Sequence, residues 1–565
     1  MKLKPFLFFI FYCFTSLFYA QENLPQNYFG NPLEIETILA GTFAELRSNH
    51  FHSGVDIKTQ QKEGLKVLAT ANGYVSRIKI AHYGYGKALY ITHPNGYTTV
   101  YGHLQKFAPE IEAYIKENQY AKESFEIELF PTVTQLQVTK GQQVAVSGNT
   151  GGSGGPHLHY EIRDAQERPM NPMLFGLEVK DTRKPTVKGV FAYALNDTSQ
   201  VSGHNNRLKI KLTPTKSGNY VSQTIYALGN IGFGVNTSDL QDLAYNKNGV
   251  FNIQTTINGI INYELDFKKF AFSESRHLNH LIDYSYFKEY KARIQKLFNN
   301  TNNPLSIIKN VENNGEIYVL EGEKVNYKII ITDYKNNSRT ITIPIIGKKQ
   351  KITHFKDIEK TPYYVQAKKG FNFDDEDKSV YIPKNALYQD AYIKYETHGD
   401  TITIGNKQIP LHKSMYIHFK TDKYKNQDVS KLFVASLGYN NKPYYTYCYK
   451  KDGKLTAKTR SFGRYTVATD NTAPKIKPIN VFNGKWFSKN KTLQMKVSDD
   501  LSGVKKYRAT INGKWILMEY DYKKGKLTYN FSDNIIKTSE NKFKLIVIDN
   551  VGNNSIFEMT FFRKI

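Results

Sequence analysis

Cysteine is nearly absent from this sequence: 565 residues carry two, Cys13 and Cys448. Cys13 falls in an apolar stretch that reads as a leader, so once that leader is removed Cys448 has no intrachain partner and no disulfide framework holds the fold. A chain of this length builds cores large enough to do without one. Long apolar runs are equally scarce. After the first twenty residues no segment reaches the ~20 apolar residues that span a bilayer, and a mean hydropathy of -0.51 excludes a polytopic membrane protein. Acidic residues are few against basic ones, 51 against 77, which leaves a formal net charge of +26. That balance favours an anionic partner such as nucleic acid, a membrane surface or a cell-wall polymer. The lysines are dispersed rather than gathered on one module, and the chain reads as exported, which argues against a nucleic-acid partner. What is plentiful is aromatic: 41 Tyr and 34 Phe, with little alanine, a composition that favours strands over helices.

Met1 to Ala20 has the form of a signal peptide: Lys2 and Lys4, then apolar Phe6 to Tyr19, then polar Gln21, Glu22 and Asn23. Phe18 stands where a small residue is preferred before the cleavage point, so an uncleaved anchor is the rival reading, although the run is short for a spanning helix. Ile10-Phe11-Tyr12 before Cys13 lacks the small residues of a lipid-attachment site. The expected location is therefore the periplasm or cell envelope, or outside the cell, with no transmembrane helix after leader removal.

The expected fold class is mainly β. Residues 21–178 read as one antiparallel β-sheet unit, with Asn72-Gly73 and Asn95-Gly96 as hairpin turns and a helix-compatible insert at about 108–137. Several Ig-like β-sandwich domains should follow. Asp181-Thr182-Arg183-Lys184-Pro185 and Asp470-Asn471-Thr472-Ala473-Pro474 open two similar units. Each closes on a strand, a polar Asp/Asn turn and a second strand, Tyr327 to Ile345 in one and Lys544 to Phe562 in the other. The expected divisions are a sandwich at 179–348 with a helical insertion, a β-rich domain at 349–469 and a C-terminal sandwich at 470–565.

The histidines carry the chemical signal. His52-Ser53-Gly54-Val55-Asp56 sets an imidazole and a carboxylate four residues apart, with a glycine between them to let the backbone turn. His157 and His159 sit at period two in a strand, so both imidazoles leave one face while Leu158 leaves the other. A Gly-rich loop, residues 148–155, leads into them, and His103 ends a further strand. Catalytic zinc sites use three protein ligands plus a water; one His, one Asp and a second His meet that count and leave histidines over. Other candidates have plainer readings. His50 faces away from His52 in an extended chain, His277 and His280 have no third ligand in view, and residues 374–377 lack the glycine and terminal Glu of a calcium loop.

The blocks "HFHSGVDI", "YGHL" and "GNTGGSGGPHLHYEI" resemble the three motif blocks of the lysostaphin-type (LytM-type) zinc metallopeptidases. The resemblance covers roughly residues 40–172. It implies a small antiparallel β-sheet groove, one zinc ion held by His52, Asp56 and His159, and catalytic roles for His103 and His157. It also implies peptide cross-links or stem peptides of bacterial peptidoglycan as substrate, with the downstream sandwiches offering surface for envelope-protein partners. The alternative is a non-catalytic envelope module that activates another wall hydrolase; such relatives lose ligands, whereas all five positions are filled here. Two departures from the family stand out. About thirty residues separate the "YGHL" strand from the next motif strand, and the segment before His50 is too short for a blocking domain, leaving only Asn27 or Asn31 to reach a metal.

Overall fold

The hairpin signals of the first unit are only partly realised, and the reason is long-range pairing. In the computed structural model, which describes residues 24–299, 303–355 and 359–564, the signal peptide lies outside the described residues. The first unit runs β1 (Leu39–Gly41), β2 (Val55–Lys58), β3 (Lys66–Leu68), β4 (Gly73–Ile80), β5 (Lys87–Thr92), β6 (Thr98–Gly102), β7 (Lys106–Phe107), α1 (Pro109–Ala121), β8 (Ile127–Leu129), β9 (Gln137–Val138), β10 (Gln143–Val146), β11 (His157–Arg163) and β12 (Pro169–Met170). Asn95-Gly96 does turn the β5–β6 hairpin, with Gly96 at φ +84°. Asn72-Gly73 does not: β3 pairs with β10 in a separate small sheet, and the Asn72 side chain instead accepts the Lys140 N–H at 2.7 Å.

The main sheet is antiparallel in the order β1-β2-β11-β6-β5-β4-β8. Alternation along its central strands sends Val55 and Ile57, Tyr101, and Leu158, Tyr160 and Ile162 into the core, leaving Asp56, Gly102, His157 and His159 on the other face. The insert forms α1, opened by Pro109 with Glu110 and Glu112 in its first turn and burying Ile111 and Ile115.

Downstream the molecule is a series of sheets. The second unit is built around Thr186–Ala194, Ile225–Ser238, Lys324–Thr332 and Ser338–Gly347. Its less β-like stretch carries short helices at Leu278–Leu281 and Tyr284–Tyr290. Its core is continuous with that of the first unit: the rings of Phe43 and Phe51 lie 5.3 and 5.4 Å from that of Phe270. Two five-stranded sheets then enclose a separate core that includes Phe373, Ile404, Ile417 and Val434. A four-stranded and a five-stranded sheet close the chain around Leu493, Tyr529, Phe543 and Leu545. The expected terminal hairpins of the two similar units are present, Lys324–Thr332 with Ser338–Gly347 and Glu540–Asp549 with Asn554–Phe562. No helix among the described residues is long and apolar enough to cross a membrane.

Candidate metal centre and active site

β2, β11 and β6 lie side by side, and the register sets His159 opposite Asp56 on one flank and Gly102 on the other. His52 is not on a strand; it sits in the turn that enters β2. Gly54 is needed there for a close approach rather than a left-handed turn: a Cβ at that position would stand 2.2 Å from the Tyr160 carbonyl oxygen. His103 lies one residue beyond β6 at φ +60°, a backbone region that non-glycine residues occupy at a cost and that clusters at functional sites.

These elements bring together all five residues singled out in the sequence. His52 Nε2 lies 3.0 Å from Asp56 Oδ1 and 3.1 Å from His159 Nδ1, and His159 Nδ1 lies 2.9 Å from Asp56 Oδ1. Three potential ligand atoms thus face one point. The opposite nitrogens are engaged: His52 Nδ1–H donates to the Thr42 carbonyl at 2.8 Å, and His159 Nε2–H donates to Glu161 Oε1 at 2.8 Å. This is the outer-shell arrangement that fixes tautomers for metal binding. His157 Nδ1 donates to Gly155 O at 2.8 Å while its Nε2 is 3.4 Å from Asp56 Oδ1. His103 Nδ1 donates to Thr150 O at 2.8 Å, with its ring 4.7 Å from that of His157. Both of these histidines therefore keep Nε2 as a basic nitrogen.

The electrostatics suit a cation. Burial disfavours an imidazolium at His159, but hydrogen bonds to Asp56 and Glu161 outweigh it and lift the group to about 9. Burial would raise Asp56, yet His52, His157 and His159 around it hold it well below the usual carboxylate range. Two carboxylates around one imidazole call for positive charge, which a divalent ion would supply. Burial, helped by His159 and His157, pushes His103 down to about 3, so it stays neutral at physiological pH. Beside His157 opens a groove of about 600 Å³, walled by Ile38, Lys58, Gln60, Gly155 and Pro156.

The remaining candidates lie elsewhere. His50 is exposed and sits 3.0 Å from Asn49 Oδ1. Asn27 packs against Lys140, and Asn31 is exposed. His277 and His280 pack against Tyr388. In the acidic stretch, Asp377 pairs with Lys378 and Lys423 at 2.5 and 2.8 Å. Three residues of the site carry no assignment from sequence. Arg47 binds the second oxygen of Asp56 at 3.0 Å, Thr42 offers only its carbonyl, and Glu161 continues the period-two row of His157 and His159. That row was the signal for Glu161; Arg47 and Thr42 had none.

Residues 50–123 and 130–172 match the model of peptidase family M23, and residues 362–470 match that of a Zu5-like domain. The N-terminal unit is a peptidase family M23 domain. An uncharacterized metalloprotease of Haemophilus influenzae is 35% identical over 158 residues, 27% of this chain and 28% of that protein. The DD-carboxypeptidase/endopeptidase Mpg of Neisseria meningitidis serogroup B is 33% identical over 132 residues, 23% of this chain and 24% of that protein. The peptidoglycan DD-endopeptidase ShyA of Vibrio cholerae is 32% identical over 122 residues, 22% of each chain. The matches span about a quarter of these curated relatives. His52, Asp56 and His159, all within the matched residues, are a group that could hold a metal.

Proposed function

We propose that this chain is an exported zinc metalloendopeptidase that hydrolyses stem peptides or peptide cross-links of bacterial peptidoglycan. The observation that carries the reading is the convergence of His52 Nε2, Asp56 Oδ1 and His159 Nδ1 to within 3.1 Å of one another, beside two histidines whose Nδ1 atoms are already committed. Two imidazole nitrogens and one carboxylate match, in number and type, the protein donors of a catalytic zinc site with one open position. Zinc held there supplies a Lewis acid and a water of lowered pKa. The chain's own residues do the rest. Thr42 and Glu161 hold the ligand imidazoles in the tautomers that leave His52 Nε2 and His159 Nδ1 open. Of His103 and His157, one neutral imidazole takes the proton of the attacking water at Nε2, and the other, when it carries a proton on Nε2, donates it as a hydrogen bond to the developing charge on the carbonyl oxygen. The peptidoglycan endopeptidase names of relatives that share this domain support the substrate class. The leader-like first twenty residues support export to the periplasm or cell envelope, and a net charge of +26 would hold the enzyme near anionic wall polymers.

The test is digestion of purified cross-linked sacculi by the zinc-loaded full chain, with products read by mass analysis. His103→Ala and His157→Ala are expected to keep the wild-type zinc stoichiometry and to lose roughly 10²–10⁴ in kcat/KM. Sacculi left intact by zinc-loaded protein, or wild-type turnover in both variants, would overturn the reading.

A further inference from the structure

A second polar cluster lies at the seam between the M23 domain and the unit that follows it. Asp181 precedes the strand Thr186–Ala194, Asp239 follows the strand Ile225–Ser238, and Asp333 follows the strand Lys324–Thr332. Each offers a carboxylate oxygen, and these atoms lie within 4.8 Å of one another. Asp239 is 3% exposed and its Oδ1 accepts no hydrogen bond. Nearby, Gln241 is 4% exposed and its Oε1 is likewise without a donor. Asp181, Asp239 and Gln241 line one cavity of about 20 Å³ together with Lys335 and with Thr42 and Met173 of the M23 domain; Asp333 stands beside Asp181 and Asp239, outside that lining. That is room for a single ion or water.

We propose that Asp181, Asp239, Asp333 and Gln241 form a binding site for a calcium-type divalent cation that locks the second unit onto the M23 domain. Three carboxylates and an amide oxygen are an all-oxygen set, suited to a hard cation and unlike the imidazole-rich set at His52. Burying several carboxylates together is expensive, and the nearby Arg183 lowers Asp181 without reversing its rise. Burial and the facing Asp181 and Asp333 push Asp239 up to about 8, and burial pushes Asp333 up to about 6; a bound cation would relieve both. The C-terminal unit supplies an internal contrast. Asp470, Asp499 and Asp549 occupy the same places relative to their strands, with Lys475 opposite Ser498 as Thr186 is opposite Ser238. Two positions are served alike in both units: Arg183 N–H donates to Asp181 as Thr472 N–H does to Asp470, and Asn337 N–H donates to Asp333 as Asn553 N–H does to Asp549. The third differs: backbone N–H groups of Leu501 and Gly503 donate to Asp499, whereas Asp239 Oδ1 accepts from none. The seam site also adjoins the catalytic support. Gly249 N–H donates to Thr42 Oγ1 at 2.9 Å, and the Thr42 carbonyl orients His52.

The test uses the zinc-loaded full chain, stripped of other divalent ions and titrated calorimetrically with calcium chloride. Asp239→Asn and Asp333→Asn should each remove one equivalent of calcium, and Gln241→Ala should weaken that equivalent by about tenfold or more. Terbium chloride in place of calcium should give emission sensitised through Tyr334, which lines the same cavity, and Tyr334→Phe should abolish most of that emission even if an Asp variant fails to fold. No calcium uptake by the wild type, unchanged stoichiometry in folded Asp variants, or terbium emission that ignores Tyr334 would each overturn the site. Calcium uptake that an equal concentration of magnesium abolishes would overturn the calcium-type assignment.

Discussion

Glu161 is completely buried yet carries four polar neighbours. His159 Nε2 donates to its Oε1 at 2.8 Å, Ser53 Oγ at 2.6 Å and Tyr85 OH at 2.5 Å, while Arg163 Nε donates to Oε2 at 2.6 Å. Burial would raise this carboxyl, but Arg163 and His159 overcome it and keep Glu161 ionised. Its charge reaches the metal position through the imidazole, making His159 Nδ1 a stronger donor. Glu161→Gln keeps the shape and removes the charge, so the imidazole loses its anionic anchor and the buried Arg163 guanidinium keeps only the more exposed Glu167 as a carboxylate partner, at 3.0 Å. Zinc affinity should fall by about 10–100-fold, and the thermal midpoint should fall with it. Competition against a coloured chelator measures the first effect; an unchanged affinity would mean that Glu161 merely packs. Gly41 marks a related constraint, since a Cβ there would meet Asp56 Oδ2 at 2.8 Å and Arg47 Nη2 at 2.5 Å. The ligand carboxylate and its arginine thus fill the space a side chain would need.

Among elements, the Gly-rich loop at residues 148–155 does most for catalytic geometry while lending almost no side chain to it. Its carbonyls at Thr150 and Gly155 receive the Nδ1–H groups of His103 and His157, so the loop aims both Nε2 atoms. The loop is held from outside the M23 domain: Lys523 Nζ donates to Asn149 O and Ser153 O, each at 2.7 Å, and Tyr522 OH donates to Gly151 O at 3.3 Å. Lys523→Ala should therefore leave zinc binding intact, raise amide exchange across 148–155 and lower kcat/KM several-fold, with partial recovery in Lys523→Arg. Unchanged turnover together with unchanged exchange would show the tether to be incidental. This element also shows where sequence reading stops. The alternation of His157, Leu158 and His159 is a local period of two, and it gave the correct face directly. Placing His52 and His103 beside them rested on a family resemblance, because strand order is a long-range property. Lys523 lies some 370 residues from its partners in the loop, and no local pattern encodes such a pairing. Asn72-Gly73 failed for the same reason: a good turn signal was overruled when β3 found β10 instead of β4.

At the scale of the whole molecule the chain returns on itself, and two seams add to the one between the M23 domain and the second unit. In one, the C-terminal unit docks on the M23 domain. Buried Lys87 pairs with Glu519 at 2.9 Å, Asp533 accepts from both Lys116 and Tyr120 of α1 at 2.6 and 2.7 Å, and Trp515 meets the Tyr120 ring at 5.2 Å. The insert is thus a docking helix for a distant domain. In the other seam, His277 and His280 of the second unit meet Tyr388 and His412 of the Zu5-like domain, and Tyr388 OH donates to Arg276 O at 2.7 Å. This second seam is expected to loosen in acid. Burial, with Lys296 and His277 nearby, pushes His280 down to about 3, and burial, with His277, Arg276, Lys413 and Arg460 nearby, pushes His412 down to about 4. Both groups sit below the 6.5 of an unperturbed histidine, so the closed seam disfavours their protonation. Closure is then fully supported above about pH 6.5 and weakens as pH falls toward 4, because the opened form takes up protons that the closed form refuses. Hydrogen exchange compared at about pH 7 and about pH 5, corrected for intrinsic rates, should show lost protection at residues 276–282 and 386–412 before the cores open. His412→Gln, which cannot take up a proton, should flatten part of that pH dependence. Equal protection at both pH values, or the same loss in His412→Gln, would mean that these histidines do not govern the seam.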